Sequence, residues 1–196
     1  MIYFIKTRKT QLNKLLSKIL GAGKQFPSIN FAKENGEWNF DFPEDKQQLS
    51  LEEIAQGKPV LITYYVPEWK EYADQQLWLL QKSIRRLSEL GVQILTITNL
   101  SLPKIKELKQ NEKLTFSIYH DDNQDIAKSI GLLSEHTPCT QFYVGIPENI
   151  PLSASFLVLA NGLIIHHFID TELQSYLSYK EIEVFVNNYK NSKIFS

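Results

Sequence analysis

Hydrophobic positions along the chain alternate between a helical and a strand-like period. Leu12, Leu15, Leu16, Ile19 and Leu20 recur at i, i+3, i+4, i+7 and i+8, which predicts an amphipathic helix stopped by Gly21. Residues 30–40 read as strand, turn and strand, with Asn35-Gly36 at the turn. Ser50 followed by Glu53 is a capping box opening a short helix, which Gly57, Lys58 and Pro59 end. Residues 60–66 are continuously apolar and β-rich, as in a strand buried on both faces. Helical spacing returns at Ala73, Leu77, Leu80, Ile84 and Leu87 and ends at Gly91; residues 92–98 form the next strand. That is a βαβ unit, which builds a parallel sheet through a right-handed crossover.

The pattern then repeats in shorter pieces. Residues 101–110 predict a helix with Pro103 near its start, and residues 116–119 a strand. His120, Asp121, Asp122 and Asn123 lead into a helix closed by Gly131. A long loop covers residues 132–152. Two apolar runs, 155–159 and 163–168, flank Asn161-Gly162 and predict a hairpin. Ser178 with Glu181 opens a last helix that should bury Ile182, Phe185, Val186 and Tyr189. The expected fold is α/β and thioredoxin-like: a five-stranded mixed sheet, parallel at its centre, helices on both faces, and an N-terminal helical extension. Residues 1–20 are expected as a basic amphipathic arm and residues 21–196 as the thioredoxin-like domain.

Composition narrows the function. A net charge of -1 over 196 residues argues against a nucleic-acid binder driven by overall charge. The charge is uneven, because Lys6, Arg8, Lys9, Lys14, Lys18, Lys24 and Lys33 precede the first acid, Glu34. A solvated helix face is the simpler reading of this arm; contact with a membrane surface through residues 1–33 is the less favoured one. No stretch approaches the ~20 apolar residues of a membrane span, and no signal-peptide core is visible. A single cysteine, Cys139, suits a reducing compartment, so a cytoplasmic location is expected. One thiol per chain does not make an intramolecular disulfide.

From Tyr65 onward the sequence resembles the peroxiredoxin-like AhpC/TSA family. That family carries a run of the form tryptophan-Cys-Pro-Tyr-Cys-x-x-Gln-Leu; here the run is Trp69, Lys70, Glu71, Tyr72, Ala73, Asp74, Gln75, Gln76, Leu77. Asp121, Ala127 and Gly131 match a second family segment. Residues 143–149 resemble its Tyr-x-x-Gly loop, and 154–162 its Ala-Thr-Phe strand and turn. Residues 23–31 match its opening segment. The resemblance implies the thioredoxin fold and a homodimer. It also places both motif cysteines at Lys70 and Ala73, which have no thiol. The family's peroxide chemistry needs a thiolate at a helix N-terminus, and a lysine does not replace it. The proline that adopts a cis bond in the family falls at Ser153, where a cis bond costs ~2.5–4 kcal/mol; a trans bond is therefore expected. The leading reading is a redox-inactive binding or interaction module with an unidentified protein partner and no cofactor. The alternative is a one-cysteine thiol peroxidase or oxidoreductase using Cys139.

Other constellations carry less. Cys139, in Thr137-Pro138-Cys139-Thr140, lies far from the motif and reads first as an unreactive thiol. His120, Asp121, Asp122 and Asn123 read as a cap for the following helix rather than metal ligands. His166 and His167 are neighbours in a strand and point to opposite faces, and His136 stands alone in the loop. Trp69, Tyr72, Tyr64 and Tyr65 read as core before they read as a pocket. Lys70 at a helix start suggests an anion, but Glu71 and Asp74 oppose one. There is no P-loop, dinucleotide Gly-x-Gly-x-x-Gly or Gly-x-Ser-x-Gly motif in a suitable context.

Overall fold

The computed structural model describes residues 10, 12–14, 16–136, 143, 145–146 and 148–194, with side chains to residue 191. The strands are β1 (Asn30–Ala32), β2 (Gly36–Glu37), β3 (Gln48–Ser50), β4 (Val60–Tyr65), β5 (Gln93–Thr98), β6 (Ser117–His120), β7 (Ser153–Val158) and β8 (Ile164–Asp170). The helices are α1 (Leu51–Ala55), α2 (Glu71–Glu89), α3 (Leu102–Asn111), α4 (Asp125–Ser129) and α5 (Tyr179–Ile194).

The main sheet has the order β2-β6-β5-β4-β7-β8. β4, β5 and β6 are parallel, while β7, β8 and β2 are added antiparallel. The expected five strands are thus six, because Gly36–Glu37 extends the edge at β6. The expected hairpin at Asn35-Gly36 does not form. β1 pairs instead with β3, and Lys33–Asn35 is a 3-10 turn. Gly36 is extended, with φ -136° and ψ 147°. A Cβ at Gly36 would lie 2.5 Å from the Trp38 ring, so this glycine makes room for an indole rather than turning the chain.

Every residue of β4 and of β7 is buried, so both faces of the sheet centre are covered. Neighbouring residues of β4 show by what. The Thr63 hydroxyl accepts a hydrogen bond from Gln76 of α2 at 3.4 Å. Tyr64 points the other way; burial first, and then the Asp121 charge, pushes its hydroxyl pKa well up. Asp121 accepts from the backbone N–H of Ile126 at 3.2 Å and Ala127 at 3.1 Å and so holds the start of α4. The helix cap expected over four residues is therefore made by Asp121, while His120 pairs with Asp122 at 3.3 Å. α5 lies beside α2, tied by the Arg86–Glu183 ion pair and by Lys190 Nζ donating to the Leu90 carbonyl at 2.8 Å.

Two capping boxes behave differently. At Ser50–Glu53 both reciprocal bonds form. At Ser178, the hydroxyl accepts from Glu181 N at 3.4 Å, and the Glu181 carboxylate turns toward His166, 4.0 Å away. Phe185, expected in the core, is 37% exposed and stacks on the His166 ring at 4.4 Å. Tyr189 is half-buried. The three-residue step from Ile182 to Phe185 rotates Phe185 past the buried line held by Ile182 and Val186.

Residues 10, 12–14 and 16 are helical, and Leu12, Ile19 and Leu20 pack on the core; residues 1–9 of the expected arm lie outside the described residues. Leu20 N donates to the Ile130 carbonyl at 3.1 Å and Gly23 N to Ile164 at 2.8 Å. Ala22 N donates to His167 Nδ1 at 3.2 Å. The chain then bridges Gln25 to Leu163, so residues 20–25 shield part of the β8 edge. Gly131 allows this: its φ is +82°, and a Cβ there would stand 2.8 Å from the Lys18 carbonyl oxygen.

Two outcomes follow. Gly131→Ala combines a left-handed backbone with a backbone clash and should cost about 1–3 kcal/mol, read as a lower urea midpoint with an unchanged slope. Burial holds the His166 imidazole below its usual range, against the opposing pull of Glu181. As pH falls through the ordinary imidazole range, the unfolded chain takes up a proton before the folded one does. Stability should therefore drop between about pH 7.5 and 5, and His166→Asn should flatten that part of the urea-midpoint profile.

Candidate functional site

β4 ends on Tyr65, and Pro67–Trp69 makes a single 3-10 turn before α2 begins. Lys70 joins the two with φ 57° and ψ -133°, a conformation that costs a residue with a side chain roughly 1–3 kcal/mol. Its carbonyl accepts from Ala73 N at 2.8 Å and so starts the helix. Its ammonium donates to the Gly145 carbonyl across the cleft at 3.4 Å. Glu71 and Asp74 place negative charge in the first turn, where the helix dipole favours it. Trp69 is buried, and its indole N–H donates to the Pro151 carbonyl at 3.3 Å. Ala73 is sealed in the core.

Beneath this turn five residues close a ring of hydrogen bonds. The Tyr72 hydroxyl meets Ser153 Oγ at 2.9 Å and donates to the Ser175 carbonyl at 2.7 Å. Ser153 N donates to the Tyr143 hydroxyl at 2.8 Å, which donates in turn to the Asp170 carbonyl at 2.9 Å. The Asp170 carboxylate accepts from Glu172 N, Gln174 N and Ser175 N at 2.6–2.8 Å, returning the path to Ser175. Burial foremost pushes the Tyr72 hydroxyl pKa up, so the phenol stays neutral; the Ser153 bond pulls the other way. The Leu152–Ser153 bond is trans.

The Asp170 turn also sets Tyr176 on Tyr72, with ring centroids 4.8 Å apart and planes 16° apart. Trp69 meets Tyr72 edge-on at 6.1 Å. An open cleft of about 710 Å³ results. Its floor comes from Trp69 and Tyr72, one wall from Lys70, Glu71 and Gln75, and the other from Ile146, Leu173 and Tyr176. Among the described residues its charged groups are Lys70 and Glu71. What it offers is aromatic surface, one cation and an amide, which is equipment for holding a ligand.

Among the described residues, the other sequence candidates do not converge here. Cys139 lies outside the described residues, as do the rest of Thr137-Pro138-Cys139-Thr140. His136 is exposed in its loop. His166 faces α5 and His167 faces the arm, on opposite sides of β8. Tyr64 and Tyr65 are core. Among the described residues no group of three His, Cys, Asp or Glu side chains could hold a metal, and no helix is long and apolar enough to cross a membrane. Sequence reasoning missed Asp170, Ser175, Leu173 and Tyr176. The one local signal was an Asp at a strand end followed by polar residues, the setting of an Asx turn.

The sequence profile of the AhpC/TSA family matches residues 22–167. No curated protein matches the chain in sequence. Among solved structures, the reduced 2-Cys peroxiredoxin of Plasmodium vivax is 16% identical; the match covers 89% of this chain and 84% of that one, with a TM-score of 0.66. AhpC of Enterococcus faecalis is 17% identical over 86% of this chain and 92% of its own, with a TM-score of 0.65. AhpC of Mycobacterium tuberculosis is 13% identical over 89% and 95%, with a TM-score of 0.65. At these identities the structural likeness speaks for the fold alone.

Tyr72→Phe leaves the Ser175 carbonyl and the Ser153 hydroxyl short of a partner and should cost about 1–3 kcal/mol in urea unfolding. Ser153→Pro removes the N–H that Tyr143 accepts and should cost at least as much. A Ser153→Pro chain as stable as wild type would show that the ring carries no stability.

Proposed function

The chain belongs to the AhpC/TSA family, and we propose that it has exchanged the family's thiol chemistry for binding through the cleft beside the start of α2. The observation that carries this reading is the hydrogen-bonded ring around Tyr72 and Ser153. The resemblance puts the two motif cysteines at Lys70 and Ala73, within the run Trp69, Lys70, Glu71, Tyr72, Ala73, and the family proline at Ser153. Lys70 is spent on starting the helix and on Gly145, and Ala73 is sealed below the surface. Ser153 uses an N–H that a proline lacks. A network with every bond made resists piecemeal reversal, because losing one member leaves the others unpaired in the interior.

The support for binding is the geometry that remains. Tyr176 exposes ring surface, stacked on a Tyr72 whose hydroxyl is already bonded, and Lys70 and Gln75 add polar contacts at the rim. The partner in this reading is a protein, with a second copy of the chain as the candidate that family resemblance offers. No cofactor enters it.

The deciding measurement is peroxide consumption with dithiothreitol as reductant, wild type beside Cys139→Ser. Equal rates in both, at the background level, are the expected result. Turnover that disappears in Cys139→Ser would overturn the reading in favour of a one-cysteine peroxidase.

A further inference from the structure

Helix α2 carries one exposed line of residues. Glu71, Gln75, Trp78, Lys82, Arg85 and Glu89 follow at i, i+4, i+7, i+11, i+14 and i+18, and all six are exposed. Five are polar, as the solvent face of an amphipathic helix should be. The sixth is a tryptophan, 49% exposed, with the Lys82 ammonium held 3.6 Å from its ring centroid. No packing requirement puts the largest side chain on that line. Among the described residues, the large hydrophobics left exposed are Trp78, Tyr176, Val184 and Phe185. All of them lie on α2, on α5 or in the loop leading into α5. Gln75 is shared between the cleft and the line, so the two are continuous.

We propose that the cleft and the Trp78–Lys82 line form one track for an extended segment of a partner protein, an apolar residue anchoring on Tyr176 and an acidic residue meeting Lys82. This rests on the binding role proposed above and names its ligand class. The charges choose the acid. Arg85 is paired with Glu89 and Arg86 with Glu183, whereas Lys82 is in no ion pair among the described residues. Its ammonium sits on an aromatic face that screens it from nothing on the outer side. The shape chooses a chain segment. A small molecule needs most of its surface enclosed, and this cleft is open along one side. Length agrees: Tyr72 to Lys82 spans about 15 Å along the helix, which an extended chain covers in about five residues.

The test is a selection of random peptides of about twelve residues on the full chain, followed by affinity measurement of one enriched peptide. The expected peptide carries an aromatic, aliphatic or proline residue about five positions from an Asp or Glu. Trp78→Ala, Lys82→Glu and Tyr176→Ala should each weaken it about tenfold or more, and Lys58→Glu, outside the track, should not. Replacing the peptide's acid with Lys should restore binding to Lys82→Glu, an exchange that loss of folding does not produce. If Tyr176→Ala weakens binding while Trp78→Ala and Lys82→Glu do not, the track is overturned and the cleft reading survives. If none of the three matters, or no peptide is enriched, both fall.

Discussion

The arrangement at the head of α2 depends on one closed circuit of hydrogen bonds, running from Tyr72 to Ser153, Tyr143, Asp170 and Ser175 and back. Tyr72, Tyr143, Ser153 and Asp170 are buried, and an unmet donor or acceptor among them costs about 1–3 kcal/mol; Ser175 closes the circuit from the exposed loop. The circuit therefore fixes more than the five side chains. It sets where β7 begins, how the chain leaves β8, and how the loop into α5 crosses the end of α2. Tyr176 stacks on Tyr72 because Asp170 has already wound that loop. The cleft is a consequence of the circuit.

Around it the fold follows from ordinary burial. β4 is apolar along its length and ends buried on both faces, with β5 parallel on one side and β7 antiparallel on the other. Edges are managed locally: residues 20–25 run along β8, and the two-residue β2 closes the side of β6. Gln76 of α2 donates to Thr63 of β4, which also accepts from Ser155 of the neighbouring β7, and this ties α2 to the sheet. That position in turn brings Tyr72 over Ser153.

The relation to the family is then a physical one. A thiolate site needs an open, electropositive helix start; at the start of α2 this chain carries Lys70 and Ala73, with the Tyr72 phenol bonded to Ser153. Tyr72 cannot be exchanged for a smaller residue without leaving the Ser175 carbonyl without its phenol donor, and Ser153 cannot become proline without losing the N–H that the Tyr143 hydroxyl accepts. Once such a network is complete, the remaining freedom lies at its rim, where Lys70, Gln75, Tyr176 and the exposed Trp78 face solvent.

Much of the architecture was legible in the residue pattern. The run at 60–66, the amphipathic line through Leu77, Leu80 and Leu87, and the Asn161-Gly162 turn are signals over a few neighbouring residues, and each formed as its period dictates. The Ser50–Glu53 box closed for the same reason. Where local signals failed, a distant partner had the stronger claim. Asn35-Gly36 lost its turn to Trp38 and to pairing with β3 and β6, and Phe185 left the core for the face of His166. At the candidate site, the absence of thiols at Lys70 and Ala73 was plain in the sequence. The circuit beside them was not, because its members stand up to 103 positions apart and are drawn together by the β7–β8 register and by the packing of α2 and two loops on it. Sequence alone determined which chemistry the start of α2 lacks; only the tertiary structure decided what replaced it, since hydrogen bonds between remote residues leave no periodic mark along the chain.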